Sequence, residues 1–223
     1  ESKKVWRFKL LSNLSTGILM GVVGFLLLLF SAVIFFATQI PNPSDLTNRE
    51  IAQATKIYDK NGELLYDIYH EQNRTPIKLS EIPDYVKEAT IAIEDKDFYK
   101  HGGFSIVGIA RSVFDLVVHR KIEGGGSTLT QQLVKNALLS GERTLTRKLK
   151  EFILAIQVER TYSKDQILEM YLNEIPYGGT AYGIEAAANL YFGKSAKDLD
   201  LSEASLLAGL PQMPSVYSPY GTR

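Results

Sequence analysis

No charged side chain stands between Lys9 and Asp45, and inside that gap Gly17 to Ala37 reads GILMGVVGFLLLLFSAVIFFA. A helix rises 1.5 Å per residue, so about 20 apolar residues cross the hydrocarbon core of a bilayer, and this run supplies that length. A cleaved signal peptide or a buried core helix are the alternatives. The run is longer than a signal h-region, and no small-x-small cleavage pattern comes after it, so the stretch reads as a retained anchor over residues 14–38. The preceding residues 1–13 carry Lys3, Lys4, Arg7 and Lys9 against Glu1 alone. Basic residues on that flank place the N-terminus in the cytoplasm and everything after the span outside.

Beyond the span the composition changes. Residues 39–53 begin with QIPNPSDLTNR, whose two prolines and small polar residues read as a linker, and residues 54–223 form one domain. Equal acidic and basic counts with 45% hydrophobic residues describe a globular chain and give no reason to expect nucleic acid. With no cysteine, disulfides and thiol chemistry are excluded. Between Thr55 and Tyr69, β-prone runs flank Lys60-Asn61-Gly62, a hairpin signal. From Ser80 onward the pattern is helical. Ser80 is expected to cap a helix with Pro83 in its first turn, running toward Glu94. Further helices are expected over 105–119, from a Ser127 cap through Leu139, over 145–161, from a Ser163/Gln166 capping box over 164–173, and near 182–191 and 202–210. The fold class is therefore mainly α, with a small β hairpin near the membrane, preceded by one transmembrane helix. The chain ends at Pro219-Tyr220-Gly221-Thr222-Arg223 without a cap, as if cut from something longer.

Chemistry concentrates where the helix toward Glu94 runs into glycines, in AIEDKDFYKHGG. Adjacent helical positions point about 100° apart, so Glu94 and Asp95 serve different purposes: one can face a cleft while the other holds the turn. Taken alone, the charge run is a solvated helix end. Gly125-Gly126-Ser127-Thr128 then leads into a helix N-terminus, which suits an anion but is common as a plain turn, and the P-loop ending is missing. Arg147 and Lys148 lie four and three residues before Glu151, so both cations can flank one carboxylate. Leu149, Phe152, Ile153 and Ile156 turn that helix toward a core, which sets Glu151 at its boundary. Such a carboxylate with two cations fits a site handling phosphate. Tyr171 and Asn173, polar near a helix end, are the exceptions in an otherwise structural stretch.

Five motifs occur in order: Glu-Asp-x-x-Phe-x-x-His-Gly at 94–102, GGSTLTQQLVKN at 125–136, Arg-Lys-x-x-Glu at 147–151, Ile-Leu-x-x-Tyr-Leu-Asn at 167–173 and Ala-Gly-Leu-Pro-Gln-x-Pro at 208–214. Together they resemble the peptidoglycan glycosyltransferase domain of class A penicillin-binding proteins and of monofunctional glycosyltransferases. The resemblance implies a lysozyme-like helical domain that polymerises lipid II into β-1,4-linked glycan, inverting at MurNAc C1 and releasing undecaprenyl pyrophosphate. It implies Glu94 as general base and Glu151 as a second essential carboxylate, and leaves Glu151 open between proton transfer and the orientation of cations or a metal. It places Lys135, Arg147 and Lys148 at the pyrophosphate. Asp95, Phe98 and His101 would shape the donor site; Ser127, Thr128, Gln131, Gln132 and Asn136 would line the cleft; Tyr171 and Asn173 would bind substrate.

The implied partners are lipid II, the growing glycan chain, the bilayer, and proteins of cell-wall synthesis or division. The implied location is the bacterial plasma membrane, single-pass, with the catalytic domain outside. The apolar excess at Val113, Phe114, Leu116, Val117 and Val118 is expected to dip into the outer leaflet. No cofactor is required by the residues; Mg²⁺ or Mn²⁺ enters as an option of the family, without a dedicated ligand spacing. The Ser-x-x-Lys and Lys-Thr-Gly motifs of a transpeptidase are missing, so this stretch is expected to be either a monofunctional enzyme or the anchor and first domain of a bifunctional one. A glycan hydrolase also uses a cleft glutamate in a helical domain, but needs no cation cluster. A non-catalytic lipid-binding module would tolerate loss of Glu94.

Overall fold

The computed structural model describes residues 13, 16–28, 30–31, 35, 40–48, 55–61, 64–68, 73–106, 108, 126–139 and 144–212. Two compact units result, Glu1–Ile40 and Pro41–Arg223. In the first, residues 16–28 are helical and their apolar side chains stand exposed, Ile18 at 62% and Leu28 at 71%. Among the described residues no helix is long and apolar enough to cross a membrane. The expected span is only partly described, and the basic N-terminus, apart from Asn13, lies outside the described residues, as does the Val113–Val118 stretch.

The second unit is mainly helical. Its elements are α1 (Asp45–Asn48), β1 (Thr55–Tyr58), β2 (Leu64–Ile68), β3 (Asn73–Arg74), α2 (Asp84–Glu94), α3 (Leu129–Leu138), α4 (Leu145–Thr161), α5 (Lys164–Glu174), β4 (Pro176–Gly178), β5 (Ala181–Tyr182), α6 (Ile184–Phe192) and α7 (Leu201–Gly209). Side chains four apart share a helix face, so Leu129 and Leu133 of α3, Leu154 and Val158 of α4, and Leu168 and Leu172 of α5 are all fully buried where α3 packs on α4 and α5. Each such leucine contributes about 1.5–3 kcal/mol by leaving water. Helix α2 lies on α7, where Ala204 and Ala208 are buried and their small side chains allow close approach.

Helix ends obey local chemistry. Ser163 and Gln166 form the expected capping box of α5, and Asp200 and Glu203 form another on α7. Gly193 ends α6 at φ 68°. Two expected caps move. Ser80 sits in a 3₁₀ turn, Leu79–Glu81, and α2 starts only after Pro83, because Ile82 is held extended by the proline next to it. Thr128 rather than Ser127 caps α3, its hydroxyl accepting from the Gln131 amide at 3.2 Å.

The hairpin forms as expected, β1 pairing antiparallel with β2 and the Asp59 carboxylate accepting from the Asn61 amide at 2.8 Å. A second, three-stranded sheet is unexpected: β5 pairs parallel with β3 and antiparallel with β4. Strands of two or three residues carry no period for a sequence reading to find. Buried Arg74 fastens this sheet to α5 through Glu174 at 2.7 Å, with its guanidinium 4.6 Å above the Tyr182 ring. Residues 41–48, expected as linker, pack on the domain instead. Leu46 is 5% exposed and Tyr162 donates to the Pro43 carbonyl at 3.2 Å.

Candidate active site

Helix α2 ends at Glu94 because Asp95 leaves the helical region, with φ −160° and ψ 74°. The adjacent carboxylates then part. Glu94 accepts from the Gln132 side-chain amide at 2.5 Å through Oε2, while its Oε1 is buried with no partner among the described residues. Asp95 turns to the other side. Its carboxylate accepts from His101 Nε2 at 2.9 and 3.0 Å and from the Leu129 amide at 3.1 Å, so it ties the end of α2 to the start of α3. Both border a cleft of about 220 Å³, which Ser105 and the Gly126–Thr128 segment close on the opposite side.

The turn back to α3 requires glycine at one position. Gly103 has φ 86°, and a Cβ there would stand 2.8 Å from the Ala155 carbonyl oxygen of α4. Its own carbonyl accepts from the Thr128 hydroxyl at 2.9 Å, which seats the cap of α3.

Beside the Ser127 edge of the cleft, α4 presents its first turns. Glu151 is 2% exposed and accepts from Lys148 Nζ at 2.9 Å. Lys148 also donates to Ser127 Oγ at 2.6 Å. Arg147 Nε stands 3.1 Å from Glu151 Oε1, close enough to pair as ions but off the hydrogen-bonding line, so neither atom has a hydrogen-bond partner among the described residues. Both cations thus flank one carboxylate, as the spacing anticipates. Lys135 is half-buried on α3 and has no ion pair within bonding distance among the described residues. Burial pushes its ammonium below the usual lysine range, assisted by Arg147 and Lys148; Glu151 and Glu94 pull the other way. Burial likewise pushes the Glu94 carboxyl above its ordinary range, with the Asp95 charge adding to it and Gln132 and Lys135 opposing.

The structure brings Glu94, Gln132, Lys135, Arg147, Lys148, Glu151 and Ser127 to one region and sets Asp95 and His101 directly behind it. The other residues expected at the substrate are placed as follows. Phe98 is fully buried, with its ring edge-on to Tyr99 at 5.2 Å. Gln131 and Thr128 are buried in the α3 cap. Asn136 is exposed and donates to the Gln132 carbonyl of its own helix at 2.9 Å. Asn173 clamps the Ile77 backbone through two bonds of 2.9 Å, as a neighbouring strand would. Tyr171 is fully buried, and its hydroxyl has no partner among the described residues; burial, and then the charge of Glu94, raise it well above the usual tyrosine range.

Tyr177 shares these properties and carries no sequence signal, since it stands outside the five motifs. Thr130, Glu159 and Lys164 also escape a sequence reading. They meet in space, but Glu159 and Lys164 stand on two helices separated by Tyr162 and Ser163, so helical spacing does not pair them. Among the described residues no three His, Asp or Glu side chains converge, and Glu151 is already committed to two cations. The described residues therefore bring together no three-ligand protein set for Mg²⁺ or Mn²⁺.

A family model described as Transglycosylase matches residues 61–223. The chain is 50% identical over 167 residues to penicillin-binding protein 1F of Bacillus subtilis (strain 168), covering 74% of this chain and 23% of that protein. It is 42% identical over 207 residues to penicillin-binding protein 1A of Aquifex aeolicus (strain VF5), covering 91% of this chain and 28% of that one. The chain thus spans about a quarter of the length of the curated relatives it matches. A crystal structure of penicillin-binding protein 1A from Haemophilus influenzae aligns over 76% of this chain and 16% of that one at 26% identity, with a TM-score of 0.35, too low to establish a shared fold. The matched segment takes in all five motifs and every element from β2 to α7, and the chain belongs to the transglycosylase family, as a domain of the class A penicillin-binding protein type.

Proposed function

We propose that this chain is a membrane-anchored peptidoglycan glycosyltransferase that polymerises lipid II into β-1,4-linked glycan strands for the cell wall. The observation that carries the proposal is the half-buried carboxylate of Glu94 beside a cation cluster on α3 and α4, in which Lys135 lies within electrostatic reach of both Glu94 and Glu151.

In the reaction, the acceptor's GlcNAc 4-hydroxyl attacks the donor's MurNAc C1 while Glu94 takes its proton. The bond from C1 to the pyrophosphate oxygen breaks on the opposite face, which inverts the centre. A positioned carboxylate contributes about 10² to 10⁴ in rate by this route. The leaving pyrophosphate gathers negative charge, which Lys135, Arg147 and Lys148 stabilise without having to reorganise. The contact of Glu151 with both cations supports the reading in which it orients Arg147 and Lys148 rather than moving a proton. Asp95 and His101 hold the turn that presents Glu94.

The exposed apolar helix at residues 16–28 and the basic residues before it support a single-pass anchor in the bacterial plasma membrane, N-terminus in the cytoplasm and domain outside. A lipid-tailed substrate stays in the bilayer, so tethering raises its effective concentration. The testing experiment incubates the purified protein in detergent with labelled lipid II and resolves the products on a gel. A ladder of long glycan from the parent and none from Glu94→Gln supports the proposal. Shortening of preformed glycan would instead establish a hydrolase, and bound but unconsumed lipid II a binding module.

A further inference from the structure

One largely buried ion pair, its lysine side chain 20% exposed, lies outside the cleft lining and touches both elements that fix Glu94. Lys164, the first residue of α5, stands 2.8 and 2.7 Å from the two carboxylate oxygens of Glu159 near the end of α4. The same ammonium donates to the His101 carbonyl at 2.6 Å and lies 4.4 Å over the Phe98 ring. Glu159, with a side chain 7% exposed, accepts in addition from the Thr130 hydroxyl at 2.5 Å, in the first turn of α3. Neither Glu159 nor Lys164 lines the cleft.

Two arms lead from this pair to Glu94. The first runs through the His101 backbone to its ring, which holds the Asp95 carboxylate next to Glu94. The second runs through Thr130 along α3 to Gln132, whose amide holds Glu94 Oε2, and one turn further to Lys135. Buried ion pairs add little stability over apolar residues of the same shape, so stability gives no reason to keep this one. Fixed geometry does, because one ammonium and one carboxylate set the spacing of three chain segments at once.

We propose that the Glu159–Lys164 pair is a positioning device for Glu94, holding the turn at 94–103 and the first turn of α3 in the register that aims the Glu94 carboxylate. The inference rests on the assignment of Glu94 as the base. A displacement of about 1 Å in a reacting group costs on the order of 10²-fold in rate.

The test compares Lys164→Met, the double variant Glu159→Gln/Lys164→Met, and Thr130→Val in the full chain, by melting temperature and by lipid II polymerisation kinetics. Lys164→Met strands a buried carboxylate and should lower the melting temperature. The double variant should regain it, yet turn over roughly 10- to 100-fold more slowly at an unchanged KM, since the groups lining the cleft are intact. A purely structural pair would recover stability and turnover together. Turnover of the double variant within about threefold of the parent overturns the proposal. Should the double variant fail to fold, Thr130→Val decides: parental melting with a clear fall in turnover supports the role, and parental turnover overturns it. A parent that makes no glycan overturns the functional assignment as well; an active parent, a dead Glu94→Gln and fully active pair variants overturn the positioning role alone.

Discussion

Replacing Gly103 with alanine adds one methyl group at a place where the structure has no room for it. At φ 86° an L-residue pays a left-handed penalty of about 1–2 kcal/mol. The new Cβ would also stand 2.8 Å from the oxygen and 2.9 Å from the carbon of the Ala155 carbonyl. That carbonyl is helix backbone, held by its own ladder, and cannot retreat as a side chain would; overpacking of this kind costs about 1–3 kcal/mol. The two effects sum to about 2–5 kcal/mol, a fall of roughly 4–20 °C in melting temperature for a domain of this size. Gly102 is the internal control. A Cβ there meets nothing within 4 Å, so Gly102→Ala should stay within about 0.5 kcal/mol of the parent. Thermal melts of the two variants, monitored by circular dichroism, make the comparison. Activity should fall in step at temperatures where both are folded, because Gly103 seats Thr128 and Ala155 lies one turn beyond Glu151. Equal melting temperatures for the two variants would refute the packing argument.

Three further outcomes are expected. Burial raises the Glu94 carboxyl, so the folded state favours its protonated form; this contribution is present at low pH and is lost as pH rises through the folded-state value. Glu94→Gln should therefore melt above the parent at neutral pH, with the difference closing in acid, as melts at the two pH values would show. Tyr177→Phe removes a buried hydroxyl that has no partner among the described residues, and should be neutral or stabilising by up to about 1 kcal/mol in urea titration. Arg74→Met removes one charged partner of buried Glu174 and should lower stability by up to about 3–5 kcal/mol, most of it recovered in the double variant Arg74→Met/Glu174→Met.

Much of the helical part is legible in the sequence because its signals are local. The Ser163/Gln166 box and the apolar stripe of α4 lie within one helix each, and α4 spans the expected residues. The divergence of Glu94 and Asp95 is expected from helix geometry, but in the structure it comes from the end of α2, where Asp95 leaves the helical region. Arg147 and Lys148 reach Glu151 across one turn of one helix, again local. Where the partner comes from a distant segment, sequence spacing carries nothing. Asn173 clamps Ile77, Thr128 rather than Ser127 meets the Gly103 carbonyl, and Thr130 meets Glu159, each across a separation that no periodicity encodes. The motif resemblance puts Phe98 at the donor site and Tyr171 at the substrate, and no local pattern foretells that both side chains are fully buried. The short strands β3, β4 and β5 escape because pairing, and not pattern, defines them.

The most direct test of Glu94 as the base is the initial rate of labelled lipid II polymerisation as a function of pH, for the parent and Glu94→Gln side by side. The parent rate should fall on the acid side with a midpoint above the ordinary carboxylate range, and Glu94→Gln should form no glycan at any pH. A midpoint in the ordinary carboxylate range, or a Glu94→Gln variant that still builds glycan, would contradict the account.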